Sequence, residues 1–368
     1  MEVRHGGRDY LPEGVLKDGG FDGAALIDFS VNVSPLGLPD GAAEAIRRAA
    51  ADCHKYPDPF CRNLRSALSS LLAVDAGNIV CGNGAGELIY RIVMWKKPRA
   101  ALICAPSFSD YEKALVEISC NIGYHELSKD DFSLDDKIMP KIDEAEIVFL
   151  CNPNNPTGKT INPILLRDII RRASKRGITL VIDECFNEFL DEPGAHTALP
   201  YIDEARNLII LRAFTKIYAM AGLRLGYCVT GSAEDAAALS NTGQAWPVSI
   251  PAQAVGIAAL SDKDYVKRVR SLVKTERTMM KDAVSKLGIK VLGGEANFIF
   301  LKIDADSGFD KNTFFDSLLR RNILIRGCDN YRSLDESYYR AAVLNRSENA
   351  AMIEALREIK MGGGGVVG

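Results

Sequence analysis

Three short stretches of this 368-residue chain hold residues whose types and spacing could do chemistry. The first is Cys151-Asn152-Pro153-Asn154-Asn155-Pro156-Thr157-Gly158, which follows an apolar run and precedes a helical pattern. Asn, Pro and Gly build turns. A turn needs only one or two of them, and here seven of the eight positions are specialised. The second is Val181-Ile182-Asp183-Glu184. An acid at the carboxyl end of a buried strand is costly to desolvate unless a cation faces it. The third is Thr215-Lys216, followed by Arg224 within Ala221-Gly222-Leu223-Arg224-Leu225-Gly226. A lysine just beyond a strand is, taken alone, an ordinary surface residue, but the three stretches read together as one site. Gly82-Asn83-Gly84-Ala85-Gly86-Glu87 also precedes a helical pattern. Its glycines permit a tight turn, and backbone amides at a helix start suit an anion.

The elements that must position these residues are legible as a rhythm. Apolar runs at 100–104, 147–151, 179–182, 208–211 and 225–229 are rich in Val, Ile and Leu and read as buried strands. Helical spacing separates them at 111–119 and 163–175. Strands apolar on both faces, alternating with helices, predict an α/β fold with a mostly parallel sheet between helices. Ligands in such folds sit at the carboxyl ends of the strands. After about residue 252 the texture changes. A charged helix over 264–287 precedes strands at 297–303, 323–325 and 338–343 and helices at 312–320 and 348–359. This predicts a smaller α+β C-terminal domain. The expected division is an N-terminal arm at 1–38, a large domain at 39–250, linker helices at 251–285, the small domain at 286–360 and a flexible glycine-rich tail at 361–368.

Composition narrows the class. Apolar residues make up 47% and charged residues 25%, which excludes a disordered chain. The net charge of −3, from 45 basic and 48 acidic residues, leaves no basic excess for a nucleic-acid partner. Nine scattered cysteines without a CxxC pair suggest neither a disulfide framework nor a zinc ribbon, and no metal site is expected. Free thiols fit a reduced cytoplasm. The polar start MEVRHGGRDYLPEG has no apolar core of a secretory signal. Residues 236–261 carry no charge, yet Asn241, Gln244, Pro247, Pro251 and Gln253 make them a poor membrane span. They are expected to form a linker buried between lobes, and no membrane partner is expected.

The order Asn-Pro-Asn-Asn-Pro-Thr-Gly, Asp-Glu, then Thr-Lys with Ala-Gly-Leu-Arg-Leu-Gly resembles the fold-type I pyridoxal-phosphate aminotransferase family. Asp183 follows Asn155 by 28 residues and Lys216 follows Asp183 by 33, spacings that fit the family. The resemblance covers nearly the whole chain. It implies pyridoxal 5'-phosphate as cofactor and residues 39–250 as its binding domain. Lys216 would be the catalytic residue that joins the cofactor aldehyde, a task for a lysine that deprotonates easily. Asp183 would pair with the pyridinium nitrogen and keep the ring an electron sink. Asn155 would bond the ring hydroxyl, and Phe108 would stack on the ring unless it is simply a core aromatic. Thr215 and Arg224, with the amides at Gly84 and Ala85, would hold the cofactor phosphate. Tyr56, in Lys55-Tyr56-Pro57-Asp58, would reach that phosphate in a partner subunit, which implies a homodimer with shared active sites.

Four further features narrow the branch: His5-Gly6-Gly7; the run Asp28-Phe29-Ser30-Val31-Asn32-Val33-Ser34-Pro35-Leu36-Gly37; Phe186, where most of the family has a tyrosine; and Arg326-Gly327-Cys328-Asp329-Asn330-Tyr331 with Arg340. These resemble the part of the family that decarboxylates L-threonine O-3-phosphate, beside histidinol-phosphate aminotransferases. The implied product is (R)-1-amino-2-propanol O-2-phosphate, in cobalamin biosynthesis. Two alternatives stay open: transamination of histidinol phosphate, and decarboxylation of serine phosphate, which lacks one methyl group and so differs by little energy. By the same resemblance His5, Gly6, Asn32, Asn155, Arg326 and Arg340 would hold the small phosphorylated amino-acid substrate. The two arginines could instead be structural ion-pair partners. A phosphate dianion outcompetes a carboxylate for guanidinium groups. The carboxylate is then left to a less polar place, where loss of charge as carbon dioxide is favourable, and Lys216 would return a proton to Cα.

Overall fold

The computed structural model describes Gly6, Gly7 and residues 26–362. His5 and most of the tail at 361–368 lie outside the described residues. The strands in chain order are β1 Ile27–Asp28, β2 Ile79–Gly82, β3 Ala100–Ala105, β4 Asn121–Glu126, β5 Ile147–Cys151, β6 Thr179–Asp183, β7 Leu208–Ala213, β8 Gly226–Thr230, β9 Lys290–Gly293, β10 Phe298–Lys302, β11 Ile323–Leu324, β12 Arg326–Gly327 and β13 Tyr338–Ala342. β5, β6, β7 and β8 are buried at every position. Such runs are stable only with apolar cover on both faces. β5 shows both: Val148 and Leu150 join one core cluster, while Ile147, Phe149 and Cys151 join the other. Burying each such side chain stabilises the fold by about 1.5–3 kcal/mol.

The large sheet runs β2-β8-β7-β6-β5-β3-β4. β3 pairs in parallel with β4 and β5, β5 with β6, and β6 with β7. Only β8 opposes its neighbours. The fold is therefore α/β with a mostly parallel sheet. The helix Pro163–Arg176 shows how its cover is built. Asn162 caps it by accepting from the amides of Ile164 and Leu165, Pro163 opens it and Gly177 ends it at φ 67°. Its buried face, Leu166, Ile169, Ile170 and Ala173, has helical spacing.

β2 and β4 escape the sequence pattern. β2 is only four residues long. β4 is an edge strand of mixed exposure with Asn, Gly, His and Glu, where polarity hides the strand signal. Residues 236–261 are not one linker but two helices, Ala233–Ser240 and Ile250–Ser261. The second packs against the helices Ala42–Ala50 and Arg62–Leu72. It buries Ala252, Val255, Gly256 and Ala259, which accounts for the small apolar residues there. Among the described residues no helix is long and apolar enough to cross a membrane.

A second, antiparallel sheet follows the 22-residue helix Tyr265–Lys286, in the order β12-β13-β10-β9. β12 and β13 place Arg326 opposite Arg340. β1 pairs with β11 in parallel, Ile27 against Ile323, as a two-stranded sheet of its own. The Phe29 carbonyl just beyond β1 accepts from the Ala342 amide of β13 at 2.8 Å, which ties the segment before the large sheet to the second sheet.

Candidate active site

The carboxyl ends of β3, β5, β6 and β7 open into a cavity of about 390 Å³, within the usual range for small-molecule sites. β6 delivers Asp183 there, while neighbouring side chains on a strand face opposite ways. Glu184 accordingly turns away, to Arg212 at 2.8 Å and to the Ala198 amide at 2.6 Å. Asp183 Oδ2 accepts from the Tyr111 hydroxyl at 2.7 Å, and Oδ1 accepts from the Cys185 amide at 3.0 Å. Tyr111 is clamped on Phe149, ring centroids 5.1 Å apart, and meets Phe108 edge-on at 5.7 Å. Burial, and then the charge of Asp183, push the Tyr111 hydroxyl well above its ordinary pKa, so it stays a donor.

Lys216 lies in the short helix Phe214–Ile217 that β7 runs into. The Ser34 amide donates to its carbonyl at 2.9 Å, fixing the turn from the N-terminal side. Its Nζ sits 5.6 Å from the centre of the Phe186 ring. Burial first, then the charges of Arg340 and Arg224, pull its pKa from 10.5 down to about 8; Cys185 and Asp183 act the other way. A lysine so placed keeps a useful fraction of neutral, nucleophilic amine near neutral pH.

The helix Ala85–Lys96 starts at Gly84 without a side-chain cap. Its first amides and the positive end of its dipole therefore suit an anion. Gly84 has φ +87°, and a Cβ on it would come 2.8 Å from Arg224 Nη2. Gly226, where β8 begins, lies so close behind the loop that a Cβ would fall 2.7 Å from the Gly84 carbonyl carbon. Two glycines thus let the helix start, the strand start and the Arg224 guanidinium converge. Arg224 itself takes left-handed backbone at φ 57°, a strain of about 1–3 kcal/mol in a residue with a side chain. Ala85, Thr215 and Arg224 line the cavity, with Gly84 behind them.

On the opposite wall stand Arg326 and Arg340, both buried. Arg340 donates from Nη1 to Asn155 Oδ1 at 2.5 Å and from Nη2 to the Ser30 carbonyl at 2.7 Å. With its amide turned so that Oδ1 faces the guanidinium, Asn32 accepts from Arg340 Nε at 3.1 Å. Arg326 donates from Nη2 to Asn330 Oδ1 at 2.7 Å and from Nη1 to the Gly327 carbonyl. Gly6, Asn32, Phe108 and Asn155 also line the cavity. Tyr56 does not: it is 77% exposed and stacks on Trp246 at 4.4 Å.

Sequence reasoning missed several residues that line the cavity or brace those that do. Tyr111 carries no local signal, since it is one aromatic on an amphipathic helix and its partner Asp183 is 72 positions away. Ser30 and Tyr331 lie within quoted stretches, and Cys185 between Glu184 and Phe186, but they have no distinguishing pattern of their own. The wall as a whole joins a depressed lysine amine, a carboxylate held by two donors and a cradle for a phosphate. Those features fit a phosphorylated aldehyde such as pyridoxal 5'-phosphate.

Residues 24–356 match the family described as aminotransferase class I and II. The chain is similar to threonine-phosphate decarboxylase of Salmonella typhimurium, 33% identical over 340 residues, covering 92% of each chain. It is similar in structure to histidinol-phosphate aminotransferase from Clostridium acetobutylicum, with TM-score 0.86 and 30% identity over 92% of this chain and 100% of that one. A further likeness is to histidinol-phosphate aminotransferase from Sinorhizobium meliloti, solved in complex with pyridoxal-5'-phosphate, with TM-score 0.84 and 25% identity over 96% and 95% of the two chains. With the cavity built at its strand ends and the match spanning both sheets, the chain belongs to the aminotransferase class I and II family.

Proposed function

We propose that this chain is a pyridoxal-phosphate-dependent decarboxylase that converts L-threonine O-3-phosphate to (R)-1-amino-2-propanol O-2-phosphate, a step of cobalamin biosynthesis. One observation carries the phosphorylated substrate of that reading. Arg326 and Arg340 face each other across β12 and β13 and are both buried at the cavity wall. Like charges directly opposite each other destabilise a sheet, and buried ones more so. Burial, with the charge of Arg326 among the lesser causes, pulls the pKa of Arg340 down. A dianion between them offsets that cost, and a phosphate takes up two guanidinium groups better than a carboxylate does. The similarity to the Salmonella typhimurium enzyme supports the same substrate.

Pyridoxal phosphate supplies, when bound, a sink for the electron pair left as a bond to the substrate's Cα breaks. The rest falls to the chain. Asp183, fixed by Tyr111 and the Cys185 amide, would hold the proton on the ring nitrogen. Arg224, Thr215 and the amides at the start of the helix Ala85–Lys96 would hold the cofactor phosphate. Asn155, whose Oδ1 already accepts from Arg340, would offer its Nδ2 to the ring oxygen. The arginine pair would anchor the substrate phosphate, with Asn32 and Gly6 beside it. That leaves the substrate carboxylate to the wall at Phe186, an apolar ring packed edge-on against Phe298 at 5.2 Å. Carbon dioxide carries no charge, so weak solvation of the carboxylate favours its loss. Lys216 Nζ, ionised for the most part below its pKa of about 8, would return a proton to Cα.

The reading includes a cytoplasmic homodimer. All nine cysteines are free, which fits a reducing compartment. The exposed Tyr56 and Trp246 offer an aromatic surface for a second copy. Histidinol-phosphate transamination is the second reading, favoured by the likeness to the Clostridium acetobutylicum structure, and it would use the same arginine pair. Carbon dioxide release from threonine phosphate, serine phosphate and unphosphorylated threonine should be measured beside amino transfer from histidinol phosphate to 2-oxoglutarate. Threonine phosphate should give the highest kcat/KM. Faster amino transfer from histidinol phosphate would overturn the reading.

A further inference from the structure

Tyr331 belongs to the turn after β12 and joins two walls of the cavity that come from different sheets. Its amide donates to the Cys328 carbonyl at 3.1 Å, which closes the turn. Its ring lies under Arg326, with the guanidinium carbon 5.5 Å from the ring centre. The neighbouring Asn330 holds the same guanidinium through Nη2 at 2.7 Å. The Tyr331 hydroxyl crosses to the end of β5, where it donates to Asn155 Oδ1 at 3.4 Å. The next residue, Arg332, also crosses: it lies 3.7 Å over the Tyr124 ring and 3.4 Å from Glu112. The turn 328–332 therefore spans from the second sheet to the large one beside the site.

We propose that Tyr331 is a positioning residue with two separable duties: its ring sets the phosphate anchor Arg326, and its hydroxyl sets the amide of Asn155. The second duty follows from the donor inventory. Asn155 Oδ1 receives Arg340 Nη1 at 2.5 Å and the Tyr331 hydroxyl at 3.4 Å. With both bonds made, the oxygen is committed and Nδ2 is the group turned to the ligand. Without the hydroxyl, one bond alone opposes rotation of the amide. The first duty follows from the contact of cation with ring face, which attracts at this separation. The first duty rests on the proposed function, because only there does Arg326 bind a substrate phosphate. The second rests only on a cofactor ring oxygen facing Asn155.

Two variants separate the duties. Tyr331→Phe keeps the ring and removes the hydroxyl; Tyr331→Leu removes both. For each, the affinity of the apoprotein for pyridoxal phosphate is read from absorbance titration, KM and kcat from carbon dioxide release with threonine phosphate, and folding from thermal midpoints. Tyr331→Phe should weaken cofactor binding about 2- to 12-fold, the range of a neutral hydrogen bond, with KM within twofold of wild type. Tyr331→Leu should weaken the cofactor equally and raise KM a further 2- to 5-fold, with kcat nearly unchanged. Unchanged cofactor affinity in Tyr331→Phe, or a Tyr331→Leu whose KM equals that of Tyr331→Phe, would overturn the corresponding duty. Losses of both constants that simply follow lost folded protein would overturn the proposal. If wild type releases no carbon dioxide from threonine phosphate, the functional reading fails instead, and the cofactor titration still decides the hydroxyl's duty.

Discussion

Replacing Lys216 by Met in the cofactor-free protein should stabilise it, and by an amount that depends on pH in a defined way. The fold pulls the amine's pKa from 10.5 to about 8, through burial and then the charges of Arg340 and Arg224. At roughly 1.4 kcal/mol per tenfold, holding the cation costs about 3 kcal/mol. The sign follows from proton linkage. Between about pH 8 and 10.5 the unfolded chain binds a proton that the folded one has lost, so stability rises with pH there. The cost is fully present below about pH 8 and gone above about pH 10.5. Met is unbranched, apolar and only one heavy atom shorter than Lys, so the packing change is small. Urea unfolding of both apoproteins at pH 7, 8.5 and 10 gives the difference directly, and other titrating groups cancel. The variant should lead by about 3 kcal/mol at pH 7, and its lead should shrink steadily toward pH 10. A difference that ignores pH, or a variant less stable throughout, would refute the electrostatic account of Lys216.

Gly226→Ala should disrupt the phosphate cradle, because the new Cβ would meet backbone of Gly84 and Ala85 rather than a side chain that can yield; pyridoxal phosphate titration should show affinity lost by more than about tenfold, with a lower thermal midpoint. Tyr111→Phe removes the donor to Asp183 Oδ2; hydrogen bonds to charged groups are worth about 1.5–3 kcal/mol, so kcat should fall on the order of ten- to a hundredfold while KM for the phosphorylated substrate changes little. Arg340→Lys keeps the charge but cannot serve Asn155, Ser30 and Asn32 together; KM for threonine phosphate should rise by more than about tenfold, and hydrogen exchange at Cα in deuterium oxide should gain relative to decarboxylation. An unchanged KM there would mean that the arginine only braces the second sheet.

The parallel core was legible because β5, β6 and β7 are rich in Val, Ile and Leu. The run 147–151 coincides with β5 in full. Two other strands run further than their apolar residues. β6 continues to Asp183, which still pairs with Leu211, and β7 continues through Arg212 and Ala213. A charged residue ends an apolar run in the sequence, yet here Tyr111 and Glu184 supply the partners that let Asp183 and Arg212 stay in the ladder. Those partners are remote in the chain, so no local pattern announces them. The same holds for the arginine wall. Arg326 and Arg340 are both visible as residues, but that they lie opposite each other depends on the register of β12 on β13. The helix Ile250–Ser261 was hidden by a lack of charge that reflects its packing against the helices Ala42–Ala50 and Arg62–Leu72. Tyr331 was quoted in a run of polar residues; its meaning comes from a turn that carries its hydroxyl to Asn155.

The central claim is that the buried arginine pair anchors a phosphate so that the carboxylate is the group lost, and that Lys216 then returns a proton to Cα. The most direct test is threonine phosphate labelled at its carboxyl carbon, incubated with the pyridoxal-phosphate-loaded protein in deuterium oxide without any keto acid. All of the label should leave as carbon dioxide, in step with formation of 1-amino-2-propanol phosphate carrying a single deuteron on the amino carbon. Label retained in threonine phosphate that has merely exchanged its Cα hydrogen, or in a keto acid formed by amino transfer, would contradict the account.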